Sequence, residues 1–280
     1  MYIETTEKLL DFIEKSPTAF QAVDEMQKRL TENGFEVLSE KEYWKLVPGG
    51  KYLVTRNNSA LIAFCIPEKE SRVFHIMASH SDSPSFKIKE NPEIKVDNSY
   101  VKLNVEKYGG MLMAPWFDRP LSVAGRVIVR EDSGLKPVLV NVDRDLCVIP
   151  NLAIHMNRDV NNGIKYNPQK DMIPLFGEIA SKDKFEKIIA MEAGTDADSI
   201  VSADLFLYNR EVGKIWGADN EFMSAPRLDD VMCAFSCIKA LTDNKENNES
   251  VNVCAIFDNE EVGSTTKQGA DSSFLYDVLS

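Results

Sequence analysis

Residues Phe257 to Ser264 read FDNEEVGS and directly follow the apolar run Val251-Asn252-Val253-Cys254-Ala255-Ile256. A run of that length is the size of a buried strand, so the chain delivers Asp258, Glu260 and Glu261 to the end of a core element. Carboxylates placed there are costly to desolvate unless something positive holds them, and a metal ion is the usual partner. Two further segments share this character. Val73 to Ala78 runs into SHSDSP, residues 79–84, and RLDD, residues 227–230, opens a helix. Together the three segments predict a two-metal hydrolytic site.

Each residue type has its own chemistry. In the His80–Asp82 pair the imidazole can bind a metal while the carboxylate holds the other ring nitrogen or a neighbouring ligand; taken alone, such a pair is also an ordinary polar loop. Asp229 stands at a helix start, where a carboxylate gains from the helix dipole and from capping, and Asp230 competes for both roles. Glu260 and Glu261 are adjacent and point to different sides. One can ligate a metal while the other takes a proton from an attacking water. Without the other motifs the pair reads as a solvated acidic loop. His75 lies in an apolar strand and reads as a packed core residue. His155, in IHMNRDVN, is a loop histidine to which composition assigns no role. Cys233 and Cys237 share a helix face and offer a second, thiol-based metal site.

These residues need a frame. Apolar periodicity predicts a helix over 3–15 and a second one after Ser16-Pro17-Thr18, closed by Gly34. Strands are expected near 52–55, 60–65 and 73–78. From 86 onward the texture changes to short alternating stretches, as at 86–89, 94–96, 100–105, 125–130 and 138–142, separated by turn residues. That pattern predicts a β-rich barrel or sandwich, interrupted over 168–198 by a helical turn or two. Helix–strand alternation resumes with a helix over 228–241, a polar loop over 243–250, the strand 251–257 and a helix from about Thr265. The expected fold class is α/β, a sheet flanked by helices with an inserted mostly-β domain. Residues 1–85 and 222–280 form the catalytic part and residues 86–221 the insertion. In open α/β sheets, sites form beyond the carboxyl ends of strands, where SHSDSP and DNEEVGS both fall. The chain ends at Tyr276-Asp277-Val278-Leu279-Ser280 without a helix-stop signal, which reads as an end inside an element.

Composition narrows the partners. The 280 residues carry a formal net charge of -12 with 27% charged residues, so nucleic acid, which calls for a basic face, is excluded as a partner. The N-terminus lacks the basic and apolar regions of a signal peptide, and no apolar run approaches the ~20 residues that span a bilayer, so no membrane role is expected. Five cysteines without a CxxC pair read as reduced thiols of a cytoplasmic protein. The sequons at 57–59 and 248–250 carry no meaning without secretion.

The strings SHSDSP, APRLDD with its apolar helix, FDNEEVGS with the following QGADSSF, and AIHMNRDVN together resemble the aspartyl aminopeptidase family of dinuclear zinc aminopeptidases. The similarity runs from the N-terminal helices to the last residue. It implies that His80 ligates one zinc, that Asp229 bridges two, that Glu261 is a ligand and that Glu260 is the general base. It implies that Asp82 orients His80, and that His155 projects into a neighbouring subunit's active site to stabilise the tetrahedral intermediate. It further implies two zinc ions per complete site, with Mn2+ or Co2+ as chemically suitable substitutes. The implied assembly is a tetrahedral homo-oligomer, a dodecamer built from dimers through the inserted domain. The implied substrates are peptides with an acidic, or in bacteria broader, N-terminal residue. The sequence departs from the family pattern at Asp230, where the family has Asn. Family members also continue past residue 280 with another acidic zinc ligand and a final histidine ligand. The competing expectations are therefore a non-catalytic fragment or assembly subunit that cannot complete the metal site, and a zinc carboxypeptidase or deacylase on the same kind of site.

Overall fold

The computed structural model describes residues 2–244 and 249–280. The second sequon and the polar loop over 243–250 lie partly outside them. The chain opens with helices α1 (Tyr2–Glu14) and α2 (Ala19–Glu32). Helix α1 buries Leu9, Phe12 and Ile13, and α2 buries Phe20, Val23, Met26 and Leu30, the i, i+3, i+4 spacing of a core-facing stripe. Then come β1 (Glu36–Leu38), β2 (Lys51–Arg56), β3 (Ala60–Cys65) and β4 (Phe74–His80). Next are β5 (Ser85–Val96), β6 (Tyr100–Tyr108), β7 (Leu121–Glu131), β8 (Gly134–Asn141), the single-turn helix α3 (Pro168–Asp171), β9 (Leu175–Glu178), α4 (Phe185–Ala193) and β10 (Ile200–Asn209). The chain closes with β11 (Lys214–Trp216), β12 (Phe222–Ser224), α5 (Leu228–Asp243), β13 (Val251–Phe257) and α6 (Phe274–Leu279).

It divides into two compact units, one of residues 1–83 with 212–280 and one of residues 84–211. The first is α/β. Its five-stranded sheet has the order β1-β2-β3-β13-β4. Strand β13 is antiparallel to β3 but parallel to β4, with Val251 opposite Phe74 and Phe257 opposite His80. Partners in a parallel pair share a face, so Phe74, Ile76, Ala78 and His80 lie on the side of Val251, Val253, Ala255 and Phe257. One face of the sheet packs under α1, α2 and α5 through Phe12, Met26, Leu61, Ala234 and Ile256. The other carries Tyr52, Ile62, Val253, Phe257 and Phe274 of α6. Strand β4 lies at one end of the sheet, and Phe74 and Ile76 on it are exposed, as is Val73 just before it. His75, expected in the core, is exposed too, because an edge strand has no neighbour to cover it.

The second unit holds the inserted strands in a six-stranded antiparallel sheet, β8-β7-β10-β5-β6-β9. Single bridges from Cys147 to Leu121 and from Val148 to Leu175 tie the β9 flank back to β7 around one core of Phe86, Leu103, Val123, Val127, Leu205 and Phe185. The expected helix from Thr265 is absent. Glu260–Val262 is a 3-10 turn, and regular helix returns only at Phe274. Residues in between form isolated turns, such as Gly269 N–H to the Thr266 carbonyl, and side-chain bonds such as Gln268 to Asn259, with no helical ladder.

A candidate metal centre at the strand ends

The parallel register of β4 and β13 brings His80 and Phe257 side by side, so the residues after each strand leave the sheet at the same end. His80 terminates β4, and the 3-10 turn carrying Glu260 and Glu261 begins three residues after β13. The third contributor is the start of α5. Asp229 and Asp230 depart from helical backbone angles, so regular helix begins after them, and the peptide between them is cis. Asp229 is thus no helix cap in this structure but part of a kinked approach.

Nε2 of His80 is 3.4 Å from Asp229 Oδ1, 3.7 Å from Asp230 Oδ2 and 3.9 Å from Glu260 Oε2. One donor atom from each of His80, Asp229 and Glu261 lies within 4.8 Å of the others, the group among the described residues able to hold a metal ion. Its chemistry, one imidazole and two carboxylates, is that of Zn2+ and similar borderline cations. Glu260 stands beside this group with its side chain 56% exposed. The cysteines are not part of it: all five are free, Cys254 is buried, and Cys233 is exposed near Asp230.

Asp82 is buried here, 4% exposed, as is Asp258. Its Oδ1 lies 3.1 Å from His80 Nδ1 and accepts the Glu260 N–H at 3.2 Å, while its Oδ2 accepts the Glu261 N–H at 3.2 Å. One side chain therefore ties the histidine of β4 to the glutamates after β13. With Nδ1 held by Asp82, Nε2 is the ring nitrogen that faces Asp229. Asp230 supports the same histidine through the main chain, its Oδ2 accepting the backbone N–H of His80 at 3.1 Å. The Asp82–His80 contact is the one that the spacing of the pair predicts, whereas the hold of Asp230 on the His80 backbone and of Asp82 on the two glutamate amides runs between segments 150 or more residues apart and escapes a reading of the sequence. His155 lies in the other unit, exposed in a turn.

The electrostatics show how crowded with negative charge the strand ends are. Burial alone would push the His80 imidazole down, but the Asp82 hydrogen bond and the charges of Asp82, Asp230 and Glu260 raise it to about 9. Glu261 is raised by burial and then by Asp229 and Asp82. Asp258 is pushed up to about 6, chiefly by burial. The field that keeps a proton on His80 stabilises a metal cation in its place.

Fold and site together define an α/β protein with a metal-type donor group at its strand ends. The sequence pattern of the family described as Aminopeptidase I zinc metalloprotease (M18) matches residues 12–280. A probable M18 family aminopeptidase 2 of Clostridium acetobutylicum is 52% identical over an aligned length of 287, covering 99% of this chain and 66% of that protein. The solved structure of mApe1 from Chaetomium thermophilum is 33% identical with a TM-score of 0.90, covering 99% of this chain and 67% of that one. An mApe1 dodecamer from S. cerevisiae is 27% identical with a TM-score of 0.85, covering 99% and 66%. The chain belongs to the aminopeptidase I zinc metalloprotease family. It spans 66% of the length of the curated relatives it matches.

Proposed function

We propose that this chain carries part of the catalytic centre of a zinc aminopeptidase that removes N-terminal residues, acidic ones foremost, from peptides. The observation that carries this reading is the meeting of His80, Asp229 and Glu261 donor atoms within 4.8 Å at the ends of two parallel strands. These three side chains would hold the metal, and Asp229 would be the residue shared with a second ion. The metal supplies Lewis-acid activation of the attacking water and of the peptide carbonyl. Glu260, outside the donor group but beside it, takes the proton from the water and passes it to the leaving amine. Asp82 holds the His80 ring and the backbone of both glutamates. His155 serves the site of a neighbouring copy. Residues 86–221 form the dimer-building domain of a cytoplasmic homo-oligomer, in line with the dodecamer of the S. cerevisiae relative.

The test is a pair of substitutions read by zinc content and by hydrolysis of acidic aminoacyl substrates. Glu260→Gln should keep its zinc and lose turnover by about 100-fold or more. His80→Ala should lose the zinc itself. Equal loss of zinc in both variants means that base and ligand have been exchanged in this assignment. Little or no zinc held by the unmodified chain favours the second reading, a fragment or assembly subunit that cannot complete the metal site, while hydrolysis that requires a free carboxylate in place of a free amine favours a carboxypeptidase.

A further inference from the structure

Glu260 and Glu261 sit on a short turn that no regular element supports. Asp82 restrains it from the β4 side. A second restraint comes from the loop that follows. Asn259, at φ +61°, adopts the left-handed conformation immediately before Glu260. Its Oδ1 accepts hydrogen bonds from Thr266 Oγ1 at 2.7 Å and from Gln268 Nε2 at 2.9 Å. Its backbone carbonyl accepts the Ser264 N–H at 2.8 Å. Gln268 is buried, and its own carbonyl accepts the Asp258 N–H at 3.1 Å. The loop can fold back this closely because residue 269 is glycine: a Cβ there would stand 2.1 Å from the Ser264 carbonyl oxygen. Asp271 N–H donates to that same oxygen at 3.2 Å.

We propose that Asn259, Thr266 and Gln268 form a clamp that positions Glu260 and Glu261, with Gln268 and Thr266 acting as positioning residues that never touch metal or substrate. Left-handed backbone at a non-glycine residue persists only where surrounding structure over-determines it, and asparagine accepts it more readily than most. The two hydroxyl and amide donors supply that determination. They aim the two following residues from outside the turn while Asp82 aims them from inside. The significance of the clamp for metal binding rests on the function proposed above; its existence as a restraint on the turn does not.

Amide hydrogen exchange on the full 280-residue chain without added metal tests the clamp. Gln268→Met and Thr266→Val each remove one donor to Asn259. Exchange of the Glu260 and Glu261 amides should quicken about tenfold or more in both, with the amides of β7 and β10 unmoved. Thr266→Ser keeps the hydroxyl and should restore the original rates. Unchanged rates in both donor-removing variants overturn the clamp. So does acceleration spread through β13 and β4, which marks general loosening. Zinc titration of the same proteins is the second readout. Zinc bound about tenfold more weakly by Gln268→Met and Thr266→Val, with normal affinity in Thr266→Ser, supports positioning. Equal affinity in all of them overturns it. If the unmodified chain takes up no zinc, the metal reading fails, and the exchange rates alone still decide the clamp.

Discussion

Asp204 and Glu261 are both carboxylates drawn partly out of water, and the molecule treats them in opposite ways. In the six-stranded sheet Asp204 lies between two cations, Arg126 Nη2 at 2.8 Å and Lys87 Nζ at 3.0 Å. Burial pushes its pKa up, yet the two hydrogen-bonded cations hold it below the ordinary aspartate value. At the strand ends of the five-stranded sheet, Asp229, Asp230 and Glu260 all turn to a single imidazole, that of His80. Glu261 beside them is raised, not lowered. The first region neutralises its charge from within and is a structural device. The second holds an excess of negative charge that its own side chains do not cancel, the electrostatic character that favours a cation.

The contrast can be broken most directly at Asp204. Asp204→Ala leaves Arg126 and Lys87 without their shared partner and should lower stability by about 2 kcal/mol, a value discounted for partial exposure. A urea-unfolding midpoint shift worth less than about 0.5 kcal/mol would show that solvent screens the pair and that the two regions differ less than their geometry implies.

The pH dependence of stability should differ in sign between the regions. The lowered Asp204 contributes stability above the ordinary aspartate pKa, and that contribution is lost as pH falls through its folded value. Asp258 behaves in reverse. Its folded pKa of about 6 exceeds the ordinary 3.8, so the folded chain holds the proton longer. Its contribution is fully present below about 4 and disappears as pH rises through about 6. Asp258→Asn should therefore stabilise the metal-free chain by about 1 kcal/mol at pH 7 and leave it unchanged at pH 4. Melting temperatures measured from pH 4 to 7 would expose the difference as a lost slope; an unaltered slope would mean that burial does not govern Asp258.

The smallest effect sharpens the comparison further. Glu261→Gln removes one of several mutually repelling carboxylates and should raise metal-free stability by a few tenths of a kcal/mol, while zinc binding weakens. Destabilisation of the metal-free protein would place Glu261 in the same structural class as Asp204.

Much of this was legible in the sequence where a local signal exists. The apolar runs 73–78 and 251–257 become the parallel pair β4 and β13, and the donor-bearing strings fall just beyond them. The alternating stretches after residue 85 become the antiparallel sheet. What escaped is what depends on distant partners. Strand β1 is three residues long and owes its existence to pairing with β2, and β11 with β12 is a hairpin of three-residue strands. The turn at Glu260 reads locally as the approach to a helix from Thr265; long-range bonds from Asp82 and Gln268 hold it otherwise. The expected core position of His75 failed because periodicity reports which residues are apolar and not which strand ends the sheet. The hold of Asp230 on the His80 backbone gives the unusual second aspartate of RLDD a structural role that its type and position left open.

That open border at β4 has a practical side. Phe74 and Ile76 continue the row of Val251 and Val253 beyond the last covered strand, and each is close to half exposed. A strand at the end of a sheet that offers oily side chains is sticky towards other extended chains. In the test tube this border should govern colloidal behaviour. Yield and sample clarity of this chain should depend on protein concentration, and Ile76→Lys should weaken that dependence.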